Sequence, residues 1–433
     1  MKTVMKNVLL GSVAGLAMVG TAAAADLPVK AKAAEYVKIC STYGAGFYYV
    51  PGTDTCLKIG GYVTADTYAT GGENKFVTTG ADGYAAGTYK DSGSETYFLT
   101  RGAIQLDART QTEYGTLRSY IEARFTYGNT GGIANEFSND QTPTTSDYGG
   151  RSGTSTELKY AYIQFAGFTF GRATSAFDFW AGDFWYGIQP GAFYSDTTTN
   201  LVSYTADFGN GFSATLSVED GYAREASYDY VYWTPTENDN QTVPDIVANV
   251  AYEGTWGALK LSGAYHDLQQ LEGIQSQDSS GWAFLAGVRF DIAETTTLYI
   301  EGAYASGAVG YTGLGDYVPE VDSSGNAVST WYIGGALQHY WTPTVFTSVV
   351  GSYSESDTFD VASGSGSSYD FDGTASWTGY NVGANIGWQP VKGLTLVLQY
   401  DYLDAQYDFG QTGGSSSLDY TQNRVTFSAK RAF

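Results

Sequence analysis

The residues that could carry chemistry are few and widely spaced. Among 433 residues there are two histidines, His266 and His339, and two cysteines, Cys40 and Cys56. His266 shares the polar side of its segment with Lys260 and Ser262, but no second catalytic partner accompanies them, and an activated nucleophile needs one. His339 stands with Trp331, Ile333, Leu337, Tyr340 and Trp341, the surroundings of an interfacial ring. A structural zinc site wants four ligands, and the histidines are far from the cysteines. No P-loop, CxxC pair or HExxH occurs. These absences argue against an enzyme and predict neither a metal centre nor a cofactor. What remains is charge. Lys58, Arg101, Arg109, Arg118 and Arg124 recur at alternate positions along their segments, and Asp178, Asp183 and Asp196 fall in one later stretch. Groups placed this way act through their fields.

The elements that must hold these charges begin with the N-terminus. Lys2 and Lys6 form a basic region, Val8 to Val19 an apolar stretch, and Ala22 to Ala25 a run of small residues before Asp26. The pattern predicts a secretory signal peptide over 1–24, cleaved near Ala24 or Ala25. The apolar stretch is short of the roughly 20 residues that a spanning helix needs, and no longer one follows. Export implies an oxidising compartment, so a Cys40–Cys56 disulfide is expected. Closing so short a loop would contribute about 3 kcal/mol by chain-entropy reasoning.

Composition sets the class. Charged residues make up 15%, against roughly 25% in soluble proteins. Aromatics reach 16%, with 37 Tyr, and there are 55 Gly. Many tyrosines with few charges suit a wall between lipid and water, where an apolar ring and a polar tip are both satisfied. The net charge of −23, more negative by two once Lys2 and Lys6 leave, excludes nucleic-acid binding as the main task. It suits acidic external loops able to bridge divalent cations. Glu355, Asp357, Asp360, Asp370 and Asp372 stand in one such stretch, read first as a solvated loop.

After the leader no helical period is sustained; segments of about ten residues alternate with period two, the signature of a membrane barrel. From Trp282 to Ile292 one face is Trp282, Phe284, Ala286, Val288, Phe290 and Ile292. In the segment starting at Leu394, Leu396, Leu398 and Tyr400 share a face, and Gln399 and Asp401 the other, where an added charge is expected to be tolerated. Phe98, Ile104 and Leu106 oppose Arg101, Gln105, Asp107 and Arg109, while Leu117, Ile121 and Phe125 oppose Arg118, Tyr120, Glu122 and Arg124. A charge facing lipid near the midplane would cost about 2–4 kcal/mol, so the basic side chains line an interior. Short turns such as Thr112–Gly115, Ala166–Gly167 and Phe208–Gly211 alternate with long Gly/Ser/Asp-rich loops, at about 70–95 and 175–199 for example. The count, from Cys56 to a last strand near Leu418, is about sixteen, even as closure requires. The segments near 157–165 and 200–206 alternate poorly. The expected fold is therefore all-β, a transmembrane antiparallel barrel over 56–433, preceded by a periplasmic-side segment over 25–55 that holds the disulfide.

The stretch Val37–Gly61, the run Gly171–Phe179 and the ending at Phe433 resemble alphaproteobacterial general porins, of the Brucella and rhizobial type, across the whole mature chain. The resemblance implies a homotrimer of sixteen-stranded barrels in the outer membrane, each a passive diffusion pore for small polar solutes and ions. It also implies that the third external loop, here Ser175 to Asn200, folds inward and sets the constriction. Asp178, Asp183 and Asp196 would then face the basic wall of Lys58, Arg101, Arg109, Arg118 and Arg124, and the resulting transverse field would orient polar solutes. Phe433 matches the terminal aromatic read by the β-barrel assembly machinery; Arg431 departs from that pattern and is expected to snorkel. Lipopolysaccharide, bridged by divalent cations at the acidic loops, is the expected surrounding. A substrate-specific channel is the nearest alternative; a barrel enzyme or an adhesin is more remote.

Overall fold

The computed structural model describes residues 38–79, 87–128, 153–180, 182–187, 193–226, 243–268, 280–361, 373–411 and 414–433. These form sixteen long strands: β1 Cys56–Thr79, β2 Gly87–Thr112, β3 Gly115–Gly128, β4 Gly153–Phe165, β5 Phe168–Thr174, β6 Thr198–Gly209, β7 Phe212–Glu219 and β8 Asp245–Gly254, then β9 Gly257–Asp267, β10 Ser280–Ile292, β11 Thr296–Ser306, β12 Ser329–Thr342, β13 Val345–Ser356, β14 Gly373–Val391, β15 Leu394–Gln411 and β16 Gly414–Ala432. Each pairs antiparallel with the next, and β16 returns to β1 from Ser415↔Thr79 to Ala432↔Tyr62. Closure leaves no edge to face hydrocarbon, which could not satisfy one. Among the described residues no helix is long and apolar enough to cross a membrane.

Alternation places the faces as the residue types demand. On β10, Phe284 is 61% exposed on the outside and Leu285 3% exposed inside; on β15, Leu398 is 52% exposed and Gln399 1%. The tight turns carry the backbone expected of two-residue hairpins: Ala166 and Gly167 have φ of 50° and 87°, Asn210 and Gly211 of 53° and 86°, the doubly positive pattern that matches strand twist.

Two segments with weak alternation have physical causes. In β4, Glu122 pairs with Tyr160 and Ala123 with Leu158, so Lys159 is bulged. The bulge reverses parity, and Leu158 and Ile163 both face outward. In β6, Leu201 points inward and is covered while Val202 faces out, so two adjacent apolar residues mask the period.

The first hairpin departs from expectation. The polar residues of 70–95, expected as a loop, continue the ladder through Thr70↔Glu95 and Gly71↔Ser94 to Thr78↔Gly87. β1 and β2 thus run to 24 and 26 residues, where a bilayer needs only about 9–11. Beyond the lipid a ladder needs only its backbone hydrogen bonds, so Gly, Ser and Thr continue it without an apolar face.

At the end of the short turns, Tyr48–Tyr49 pair with Cys56–Leu57, and Cys40 and Cys56 form the expected disulfide, with Cα atoms 6.0 Å apart. Phe47 packs with both cysteines, and the Arg109 guanidinium lies 5.0 Å over its ring. The leader proposed over 1–24 lies outside the described residues.

Candidate channel constriction

The described residues between β5 and β6 fold into the barrel. The aromatic residues among them cannot be left in water, and the interior of β10–β13 offers small or apolar partners. Phe177, Trp180, Trp185 and Tyr194 are buried with Ala283, Leu285, Ala303, Tyr332 and Val350. Trp180 stacks on Trp185 at 5.8 Å and on Tyr299 at 5.9 Å. Gly287 of β10 makes the close approach possible, because a Cβ there would overlap the Phe179 ring.

Polar tethers fix the loop across the lumen. The Trp180 amide donates to Glu301 at 3.1 Å, and the Trp185 indole N–H donates to Asp401 at 3.0 Å. The Gln399 side chain accepts from the Tyr186 amide at 3.0 Å and donates to the Tyr186 carbonyl at 3.2 Å. Asn385 donates to the Phe184 carbonyl at 2.8 Å. Gln399 and Asp401 therefore face inward as alternation requires, but they meet the loop and not open water. The expectation that Gln399 would tolerate a charge is corrected by this contact.

The three loop carboxylates occupy different environments. Asp178 is buried: it accepts from the Thr197 amide at 2.7 Å and pairs with Arg224 at 2.6 Å, the two side chains each 1% exposed. Burial is the strongest single influence and opposes the charge on Arg224, but Asp178, Tyr311 and Glu219 together outweigh it and raise the guanidinium's proton affinity. Asp178 thus anchors the loop, with no carboxylate oxygen offered to the channel. Asp196 is half-buried at the returning end of the loop. Asp183 is exposed at the tip and lines a cavity of about 330 Å³ together with Arg101, Lys430, Asp66, Trp185 and Tyr186. Of the five bases expected on the wall, Arg101 shares this cavity with Asp183.

The five basic residues also separate. Asp107 accepts from Arg109 at 2.9 and 2.7 Å and from Arg118 at 3.0 and 3.0 Å. Glu122 accepts from Arg124 at 2.8 Å and from Gln105 at 2.7 Å, and Arg124 also reaches Glu157 at 3.6 Å. Three guanidinium groups thus stand against three carboxylates, and that part of the wall is an acid–base ladder. Arg101 donates to Thr126 at 2.9 Å. Lys58 is exposed at the disulfide end of β1. Lys430, which no motif marked, reaches the cavity from β16; its parity opposite Phe427 on an alternating strand is the signal that could have found it.

A family model described as "Porin subfamily" matches residues 26–429. The chain belongs to this porin family. It is similar to the porin Omp2b of Brucella suis, 26% identical with 96% of each chain covered, and to porin Omp2b of Brucella abortus (strain 2308), 27% identical with 92% of each covered. In fold it is similar to the outer membrane channel DcaP of Acinetobacter baumannii, with a TM-score of 0.56, 15% identity, and 89% of this chain and 99% of that one covered. The protein is an outer-membrane porin, a multi-pass barrel forming a passive diffusion channel. The expected family and barrel are both found.

As a porin it carries a buried network that motif reading missed. His266, at the end of β9, bonds Asp245 through Nδ1 at 2.8 Å and Glu320 through Nε2 at 3.2 Å, and Tyr311 donates to Asp245 at 2.6 Å. Arg224 lies 4.4 Å over the Tyr311 ring. The chain after β11, with Val309, Tyr311 and Leu314 buried, packs beside the pore loop. His266 is thus a buried link between external segments. At the other end, His339 meets Thr296 at 2.7 Å and the Trp341 ring edge-on at 4.5 Å, the interfacial position its neighbours imply. Phe433 closes the barrel, its amide donating to the Gly61 carbonyl at 3.0 Å.

Proposed function

We propose that small hydrophilic solutes and ions cross at the gap bounded by the loop tip and the wall of β1, β2 and β16. The observation that carries this reading is the shared cavity of Asp183 with Arg101 and Lys430. Opposite charges across a narrow aqueous gap make a transverse field that dipolar solutes cross more easily than apolar ones. With Asp178 engaged by Arg224, and Arg109, Arg118 and Arg124 matched by carboxylates, Asp183 is the exposed acid of the loop and Arg101 and Lys430 its counterparts. The protein acts as a channel and not as an enzyme.

It assembles as a homotrimer among outer-membrane lipids. The acidic external residues Glu355, Asp357 and Asp360 suit divalent cations that bridge lipopolysaccharide; Asp370 and Asp372 lie outside the described residues. Conductance of the purified protein in planar bilayers tests the pore. Asp183→Asn should lower the cation-to-anion permeability ratio and Lys430→Gln should raise it; unchanged ratios in both would place the selectivity elsewhere.

A further inference from the structure

A second cavity of about 550 Å³ lies between the root of the pore loop and β3–β9. Tyr120, Tyr160 and Tyr162 line it. The rings of Tyr120 and Tyr162 stack at 5.3 Å and 27°, and Tyr160 lies 6.2 Å from Tyr120. All three are only half-buried, so aromatic surface is held against a polar lumen where it costs free energy unless covered.

The charged groups around this cavity are already engaged. Arg118 lies 5.1 Å over Tyr120 and 5.5 Å over Tyr162. It donates through Nε and Nη2 to Asp107 and through Nη1 to Gln164, each at 3.0 Å. Lys260 donates to the Asp178 carbonyl at 2.6 Å, and Asp178 pairs with Arg224. The facing wall supplies Thr169, Ser203, Thr205, Thr215 and Asn249, neutral donors and acceptors. Stacked rings on one side and hydroxyl and amide groups on the other match a solute with apolar C–H faces and a rim of hydroxyls. Its size falls within the range of small-ligand sites, about 300–1,000 Å³.

We infer that this cavity is a subsite for neutral ring sugars, mono- or disaccharides, which stack on Tyr120 and Tyr162 during passage. The inference rests on the porin reading and adds a solute class to it.

Glucose and maltose, added to single channels in a planar bilayer, test the proposal. Each should reduce the KCl current reversibly and with saturation, and the open-chain polyol sorbitol should need about a tenfold higher concentration for the same reduction. Tyr120→Ala and Tyr162→Ala should raise the half-blocking sugar concentration about tenfold, normalised to each variant's own sugar-free current, while Tyr162→Phe stays within about twofold of wild type. Equal reduction by glucose and sorbitol would overturn the subsite, as would unchanged block in Tyr120→Ala or a Phe variant as impaired as the Ala variant. Wild-type protein that carries no KCl current would instead overturn the porin reading itself.

Discussion

The Asp178 carboxylate and the Arg224 guanidinium lie 2.6 Å apart, each side chain 1% exposed, and join the pore loop to the segment after β7. Arg224 also donates to Ser195 at 2.8 Å, so one cation holds both ends of the loop. Removing one partner leaves the other charged, buried and unmatched, at a cost of about 3–5 kcal/mol. Asp178→Asn or Arg224→Met should therefore loosen the loop and raise single-channel conductance. The double variant Asp178→Leu with Arg224→Met should recover part of the lost thermal stability. Wild-type conductance and melting in both single variants would mean that the aromatic packing alone holds the loop.

Charge placed on the two faces of β15 should fail in two ways. Leu398→Arg exposes a cation to hydrocarbon, at about 2–4 kcal/mol near the midplane, and should lower the yield of inserted, heat-modifiable barrel. Gln399→Arg leaves the outer face intact but displaces Tyr186 from its two hydrogen bonds. It should insert normally and show larger, noisier currents. Poor insertion of both variants would contradict the separation of the faces.

Glu225, just outside β7, should make stability depend on pH. Burial first, and then the nearby Glu320, push its carboxyl up to about 7; His266 opposes the shift, and Asp245 and Asp220 add to it. With a raised folded-state pKa the native protein binds more protons than the unfolded chain between about pH 4.5 and 7, so stability falls as pH rises through that window. Glu225→Gln should melt close to wild type at pH 4 and above it at pH 8. A difference of opposite sign at pH 8 would refute the assignment.

The disulfide should act locally. Cys40 and Cys56 fasten the segment that packs Phe47 beneath Arg109. Their replacement by Ser should expose residues near Cys40 to limited proteolysis, with a loss of about 2–4 kcal/mol by loop-closure reasoning. The rest of the barrel should remain protease-resistant. Intact mass after alkylation of native protein should reveal no free thiol.

What the sequence by itself determined is whatever depends on neighbouring residues along one strand. The period-two alternation of Trp282–Ile292, the turn chemistry at Ala166–Gly167 and Asn210–Gly211, and the spacing of long and short connections are properties of local backbone, so class, strand count and facing were legible. The inward position of Gln399 and of Arg118 followed from parity alone. Only the tertiary structure decided what each inward side chain meets. Trp185 and Asp401 are 216 residues apart and Asp178 and Arg224 are 46 apart; each pair meets because closure of the barrel and packing of the loop's rings bring distant segments together. The bulge at Lys159 and the polar ladder beyond Thr70 were hidden for a related reason. Hydrogen bonding to the neighbouring strand sets them, and backbone hydrogen bonds leave no mark in side-chain hydropathy.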